Sequence, residues 1–148
     1  MVLKSHAKIN LSLKVIKKLS SGFHDIQSVF CLVNIFDRIY INKITKGNRD
    51  KIFFKGPYSK QVKKSNNTVQ KILNILREKN LITNFYYVKV EKKIPVFAGL
   101  GGGTSNAVTI LKYLIRKKLS RKKLSEIVKF IGSDVQLFFQ NQGYLKNL

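Results

Sequence analysis

Between Pro95 and Ser105 the chain reads PVFAGLGGGTS, and four of its nine glycines, Gly99, Gly101, Gly102 and Gly103, fall within five residues. Glycine brings no side chain to a core and loses the most backbone freedom on folding, so packing does not call for this cluster. Ala107, Ile110, Leu111, Leu114 and Ile115 keep helical spacing just after it. Glycines ahead of a helix expose main-chain N–H groups at the positive end of the helix dipole, and the chemistry that arrangement offers is anion binding. Thr104 and Ser105 add hydroxyls in the first turn. Such groups suit a phosphate oxygen or Mg²⁺, which takes oxygen ligands. A Walker-type loop is excluded by the missing Gly-Lys-Ser/Thr ending, and a dinucleotide fingerprint by the lack of an acidic residue about 20 positions on. Two readings remain: a phosphate loop of another kind, or a flexible turn with close helix packing.

The elements that must hold this loop follow from hydrophobic period. Ile9, Leu11, Leu13 and Val15 alternate with Lys8, Asn10, Ser12 and Lys14, which predicts a half-buried strand with Lys8 and Asn10 projecting away from the apolar set. SSGFHD reads as a turn built on Gly22, IQSVFCLVNIF as a second strand, and DRIYINKI and KIFFK as two more joined by the hairpin-like TKGNRD. A helix is expected from Asn67 as N-cap, with Val69, Ile72, Leu73 and Leu76 on its buried face and a stop near Asn80. FYYVKVE is a strand with Tyr86, Val88 and Val90 on one side, broken at Pro95. After the glycine-led helix, which ends at the basic Arg116, Lys117 and Lys118, Ser120 caps another carrying Leu124, Ile127, Val128 and Ile131 up to Gly132. VQLFF is the last apolar run, and QNQGYLKNL follows with no assigned element. Strands, helix, strand and two helices predict an α+β, two-layer sandwich.

Composition narrows the class. At 148 residues and 44% hydrophobic the chain suits one domain with its own core. Cys31 is the only cysteine and sits in an apolar run, so no disulfide or thiolate metal cage is available, a reducing compartment is expected, and the thiol reads as a small buried apolar group. No signal peptide or membrane-length apolar run is present, so a soluble, cytoplasmic protein with no membrane partner is expected. Lys and Arg number 29 against 7 Asp and Glu, a formal charge of +22. The lysines run from Lys4 to Lys146 instead of gathering on one element, which favours a generally basic solvated surface over a dedicated nucleic-acid patch.

IPVFAGLGGGTSNA resembles the glycine-rich motif of the galactokinase, homoserine kinase, mevalonate kinase and phosphomevalonate kinase superfamily. AKINLSLKV, SGFHDIQSVF and IGSDVQLFF agree in order, and together the four stretches, across residues 6 to 139, are most similar to the 4-diphosphocytidyl-2-C-methyl-D-erythritol kinase family. The resemblance implies that residues 1–148 form the ATP-binding N-terminal domain, a fold like one shared with ribosomal proteins. The family's second domain has no counterpart here, and the face it would cover is expected to be prone to association. The implied cofactors are ATP and Mg²⁺, and the implied small-molecule acceptor is the 2-hydroxyl of a cytidine diphosphate methylerythritol in isoprenoid precursor synthesis.

Carried over residue by residue, Asp134 in GSDV would accept the proton of the attacking hydroxyl and Lys8 in AKIN would hold that carboxylate ionised. Pro95, Gly99, Leu100, Gly101, Gly102, Gly103, Thr104 and Ser105 would hold the ATP phosphates, with Thr104 and Ser105 as oxygen ligands for Mg²⁺. Asn10, Phe23, His24 and Phe30 would contact the substrate, His24 reading the cytosine. Phe23 stands where the family commonly has tyrosine, so stacking survives there while a hydroxyl contact is lost. Asn67, Lys92 and Lys93 fall near the nucleotide side on looser spacing. Without the resemblance, Asp134 reads as a cap, Lys8 as a solvated strand lysine and His24 as a surface or core residue. The competing function is a basic, non-catalytic module that binds RNA or protein, which would not require Lys8 and Asp134 together.

Overall fold

The computed structural model describes residues 1–18, 24–115, 119–140 and 142–146. Its elements are β1 (Val2–Lys18), β2 (His24–Lys43), β3 (Lys51–Lys55), α1 (Thr68–Glu78), β4 (Tyr86–Glu91), α2 (Gly102–Leu114), α3 (Arg121–Ile131) and β5 (Gln142–Lys146), with 3-10 segments at Ser59–Gln61 and Ser133–Phe139. They form the α+β arrangement that the pattern predicts. One mixed sheet has the order β1-β2-β4-β3, β5 also pairs with β2, and the helices pack on it.

The apolar stripes of the elements supply a main core, with a smaller cluster of Val108, Val135 and Phe138 beside the glycine loop's helix. Ile39 and Ile41 of β2 and Val88 and Val90 of β4 meet Val69, Ile72, Leu73 and Leu76 of α1, Ala107, Ile110 and Leu111 of α2, and Ile127 of α3. Removing a Leu or Ile of this size from water contributes about 1.5–3 kcal/mol, and truncating Leu73 to alanine adds a cavity to that loss, about 2–5 kcal/mol in all. The helix face predicted for α1 is the buried one, and Asn67 is its N-cap, accepting from the Gln70 amide at 3.0 Å. Asn80, just beyond its end, takes a left-handed φ of 54°.

Three strand expectations change. The two runs expected over residues 26–36 and 37–44 are a single 20-residue strand, His24–Lys43. Its register passes from His6 opposite Phe36 to Ala7 opposite Val33, so a bulge at Asn34 and Ile35 absorbs the break in pattern. TKGNRD does not close a hairpin: β3 pairs parallel with β4, which lies between β3 and β2. Parallel partners require a crossover, and α1 is that crossover. Finally, QNQGYLKNL contributes β5, antiparallel to residues 27–31 of β2.

The far half of β1 departs most from its pattern. Leu11, Leu13 and Val15 are more than half exposed instead of half-buried. Asn10 pairs with Phe30 and Ser12 with Val29, so Leu11 is an inserted residue. Beyond it Leu13 faces Ser28 and Val15 faces Ile26, the same alternate residues of β2 that pair with Asn10 and Lys8 nearer the core. The bulge therefore moves Leu13 and Val15 onto the face that carries Lys8 and Asn10, where counting by twos had separated them. Cys31 is half-buried and free. Among the described residues no helix is long and apolar enough to cross a membrane.

Candidate active site

The glycine loop leads into α2 through Gly101, its N-cap, at a left-handed φ of 67°. A Cβ there would lie 2.6 Å from Phe138 Cζ and 3.2 Å from Lys8 Cγ, so only glycine fits both the backbone and the space. At Gly102 a Cβ would come within 2.9 Å of Ile94 and 3.3 Å of Lys92 Nζ. Two of the clustered glycines are thus demanded by protein neighbours packed behind the loop, which leaves its other side facing a cavity of about 450 Å³. The cavity is lined by Pro95 to Thr104, by Asn66, Asn67 and Thr68 at the start of α1, and by Lys92 and Asp134.

Two helix N-termini therefore open on one space. Thr68 Oγ1 donates to the Gly103 carbonyl at 2.8 Å, tying the first turn of α1 to the first turn of α2. Neither helix has an acidic residue in its first turn to neutralise its dipole. Sequence reading assigned this role to α2 alone, although the Asn67 cap and the absence of acid after it were visible signals.

Lys8 and Asp134, 126 positions apart in sequence, meet beside the loop with Nζ 3.4 Å from Oδ2. The Lys8 amide donates to the Leu100 carbonyl at 3.0 Å, so β1 is fastened to the loop directly. Lys8 Nζ also donates to Asn10 Oδ1 at 3.0 Å, which places Asn10 at the pair. Asp134 stands in the first turn of the 3-10 segment after Gly132. Lys8 is 8% exposed and Asp134 34%, leaving the carboxylate reachable from the cavity and the ammonium enclosed. At the far end of that segment Lys112 of α2 donates to the Phe138 carbonyl at 2.5 Å, and desolvation there lowers its pKa below the usual lysine value.

A second lysine–aspartate pair lies behind the loop. Asp37 of β2 is wholly buried and accepts from Lys92 Nζ and from the Lys93 and Ile94 amides at 2.7 and 2.9 Å. It clamps the segment that enters the glycine loop. Sequence reading passed over Asp37; its only mark was an acid set among apolar residues in a strand.

Other expected site residues fall differently. Ser105 is buried, Ser5 Oγ shares a hydrogen bond with its hydroxyl at 2.8 Å, and its amide donates to Gly101. It lines a separate hollow with Leu3, Lys4 and Tyr113, so of the two expected hydroxyls Thr104 is the one on the cavity. Phe30 is 2% exposed because β5 crosses it, with Phe30 opposite Gly143, which closes it to a substrate. Lys93 is absent from the cavity lining, whereas Asn67 both caps α1 and lines the cavity. His24 begins β2, paired with Lys18, and Phe23 lies outside the described residues.

Comparison with known proteins fits this arrangement. The family model described as GHMP kinases N terminal domain matches residues 67–142, a little over half of the chain. The chain belongs to the GHMP kinase family through that domain. Curated relatives named 4-diphosphocytidyl-2-C-methyl-D-erythritol kinase include one from Pelagibacter ubique, 42% identical over 91% of this chain and 48% of its own length. Another, from Ureaplasma parvum, is 36% identical over 97% of this chain and 54% of its own. The chain thus spans about half the length of the curated relatives it matches. A solved 4-(cytidine 5'-diphospho)-2C-methyl-D-erythritol kinase superposes with a TM-score of 0.72 at 24% identity, covering all of this chain and 54% of that one, which establishes the shared fold.

Proposed function

We propose that this chain is the ATP-binding portion of a small-molecule kinase that phosphorylates the 2-hydroxyl of 4-diphosphocytidyl-2-C-methyl-D-erythritol in isoprenoid precursor synthesis. The observation that carries the reading is the meeting of the Lys8–Asp134 pair with the glycine loop at one cavity. Relatives bearing that kinase name supply the choice of substrate.

The donor set fits ATP with Mg²⁺. Main-chain amides at two helix N-termini suit a polyphosphate. Thr104, beside the phosphates, offers a hydroxyl to a cation that keeps several waters and binds few protein ligands. ATP would supply the phosphoryl group, and a Mg²⁺ held at Thr104 would supply positive charge to offset the charge that develops on it. Asp134 accepts the proton of the attacking hydroxyl, and Lys8 holds Asp134 in its charged form. Asn10, held at the pair by Lys8, faces the acceptor, and the family resemblance adds Phe23 and His24 as substrate contacts. Leu13 and Val15, continuing the Lys8 face into solvent, form the surface on which a second domain closes, and such closure excludes water from the reacting phosphoryl group.

The test is titration of the 148-residue chain with Mg-ATP, followed by a transfer assay with the diphosphocytidyl substrate, alone and with the C-terminal half of the Pelagibacter ubique relative supplied. ATP binding, with transfer in the reconstituted pair, is the expected outcome. A chain that neither binds ATP nor transfers phosphate under both conditions overturns the reading.

A further inference from the structure

The cavity lining offers two chemistries. One is the cradle of main-chain amides from Gly101 to Thr104, with Lys92 behind it. The other is a set of apolar side chains, Phe54, Val62, Pro95, Val96 and Phe97, with Gln61 and Lys63 beside Val62. Phe97 carries two costs there. Its φ is 62°, in the left-handed region that glycine takes freely and a bulky residue rarely adopts. Its side chain is 90% exposed, so packing within the described residues does not offset that strain. No aromatic or cationic group among the described residues is recorded against its ring. Sparsely populated backbone conformations concentrate at ligand clamps and binding loops.

We infer that Phe97 is the stacking platform for the base of the bound nucleotide, and that it sets the preference of this cavity for a nucleotide over a bare polyphosphate. The inference rests on the nucleoside triphosphate reading of the cavity. The left-handed backbone at Phe97 goes with a side chain that lines the cavity yet stays open to solvent. From Phe97 to Gly101 the chain extends at most about 14 Å. A nucleoside triphosphate covers that range between its base and its terminal phosphate. Every base has a π-face, so an aromatic platform binds without reading the base edge, and selectivity among bases is left to polar groups such as Asn66 and Gln61.

The experiment is calorimetric titration of the full chain with Mg-ATP and, separately, with Mg²⁺ and inorganic triphosphate. Phe97→Asn removes the ring and installs a residue that tolerates this backbone; Phe97→Trp keeps a platform. The expected result is about a tenfold loss of ATP affinity in Phe97→Asn with triphosphate affinity unchanged, a melting temperature at or above wild type, and ATP affinity retained in Phe97→Trp. Unchanged ATP binding in Phe97→Asn overturns the inference and leaves the nucleotide site standing. Equal losses for ATP and triphosphate also overturn it, because the ring would then shape the loop and not hold a base. A wild-type chain that binds neither probe removes the nucleotide reading and this inference with it.

Discussion

Two lysine–aspartate pairs flank the same glycine loop, and they differ in what surrounds them. Lys92–Asp37 is sealed, with side chains 3% and 0% exposed and two main-chain amides added to the carboxylate. Lys8–Asp134 has an enclosed lysine but a carboxylate that is open to the cavity. A wholly buried carboxylate that already accepts three hydrogen bonds is closed to a proton arriving from a substrate, so the first pair fixes the loop. An open carboxylate beside one cation retains that capacity. Enclosure, more than residue type, separates scaffold from chemistry here, since among the described residues Asp37, Asp50, Glu91, Glu126 and Asp134 all lie in ion pairs.

The contrast is open to direct attack, ordered by expected effect on the fold. Asp37→Ala leaves a lysine buried without its partner and should cost about 3–5 kcal/mol in urea unfolding. The double change Asp37→Leu with Lys92→Met should recover most of that loss, and a double variant no more stable than the single one would show that the amide bonds, not the charge pair, hold the segment. Gly101→Ala meets Phe138 and an unsuitable φ together, and should cost about 1–3 kcal/mol and weaken Mg-ATP binding. Asp134→Asn should alter stability by under about 1 kcal/mol, since the pair is part exposed, yet lower phosphoryl transfer in the reconstituted enzyme by about 10²–10⁴-fold with ATP affinity kept. An Asp134→Asn chain as destabilised as Asp37→Ala would erase the distinction. The smallest effect concerns Lys112. Its folded pKa is depressed, so below the ordinary lysine value the unfolded chain binds the proton more tightly and stability rises with pH through that window. Lys112→Met should flatten the rise, measured as the difference in melting temperature between wild type and variant as pH is raised toward the ordinary lysine value.

Legibility in the sequence followed the range of the forces involved. α1 and its Asn67 cap are local matters of period and side-chain reach, and the structure has them where the pattern put them. The meeting of Lys8 with Asp134 was visible through family resemblance alone, because no local rule joins residues on separate elements. Bulges at Leu11 and at Asn34–Ile35 defeat counting by twos, since one inserted residue reverses which face every later side chain takes. β5 was missed because Gly143 and polar neighbours give a weak strand signal until β2 offers its edge, and the burial of Phe30 went with it. Ser105 illustrates a further limit: adjacent hydroxyls at a helix start point in different directions, and Ser5, 100 residues earlier, settles which is taken inward.

The bond from the Lys8 amide to the Leu100 carbonyl has a consequence of its own. One residue grips the loop through its main chain and the carboxylate through its side chain, so it works as a caliper whose opening is a single residue's length. Trimming that side chain removes one jaw and leaves the other closed. Small alkylamines diffusing into the space left by Lys8→Ala would then find the spacing already set.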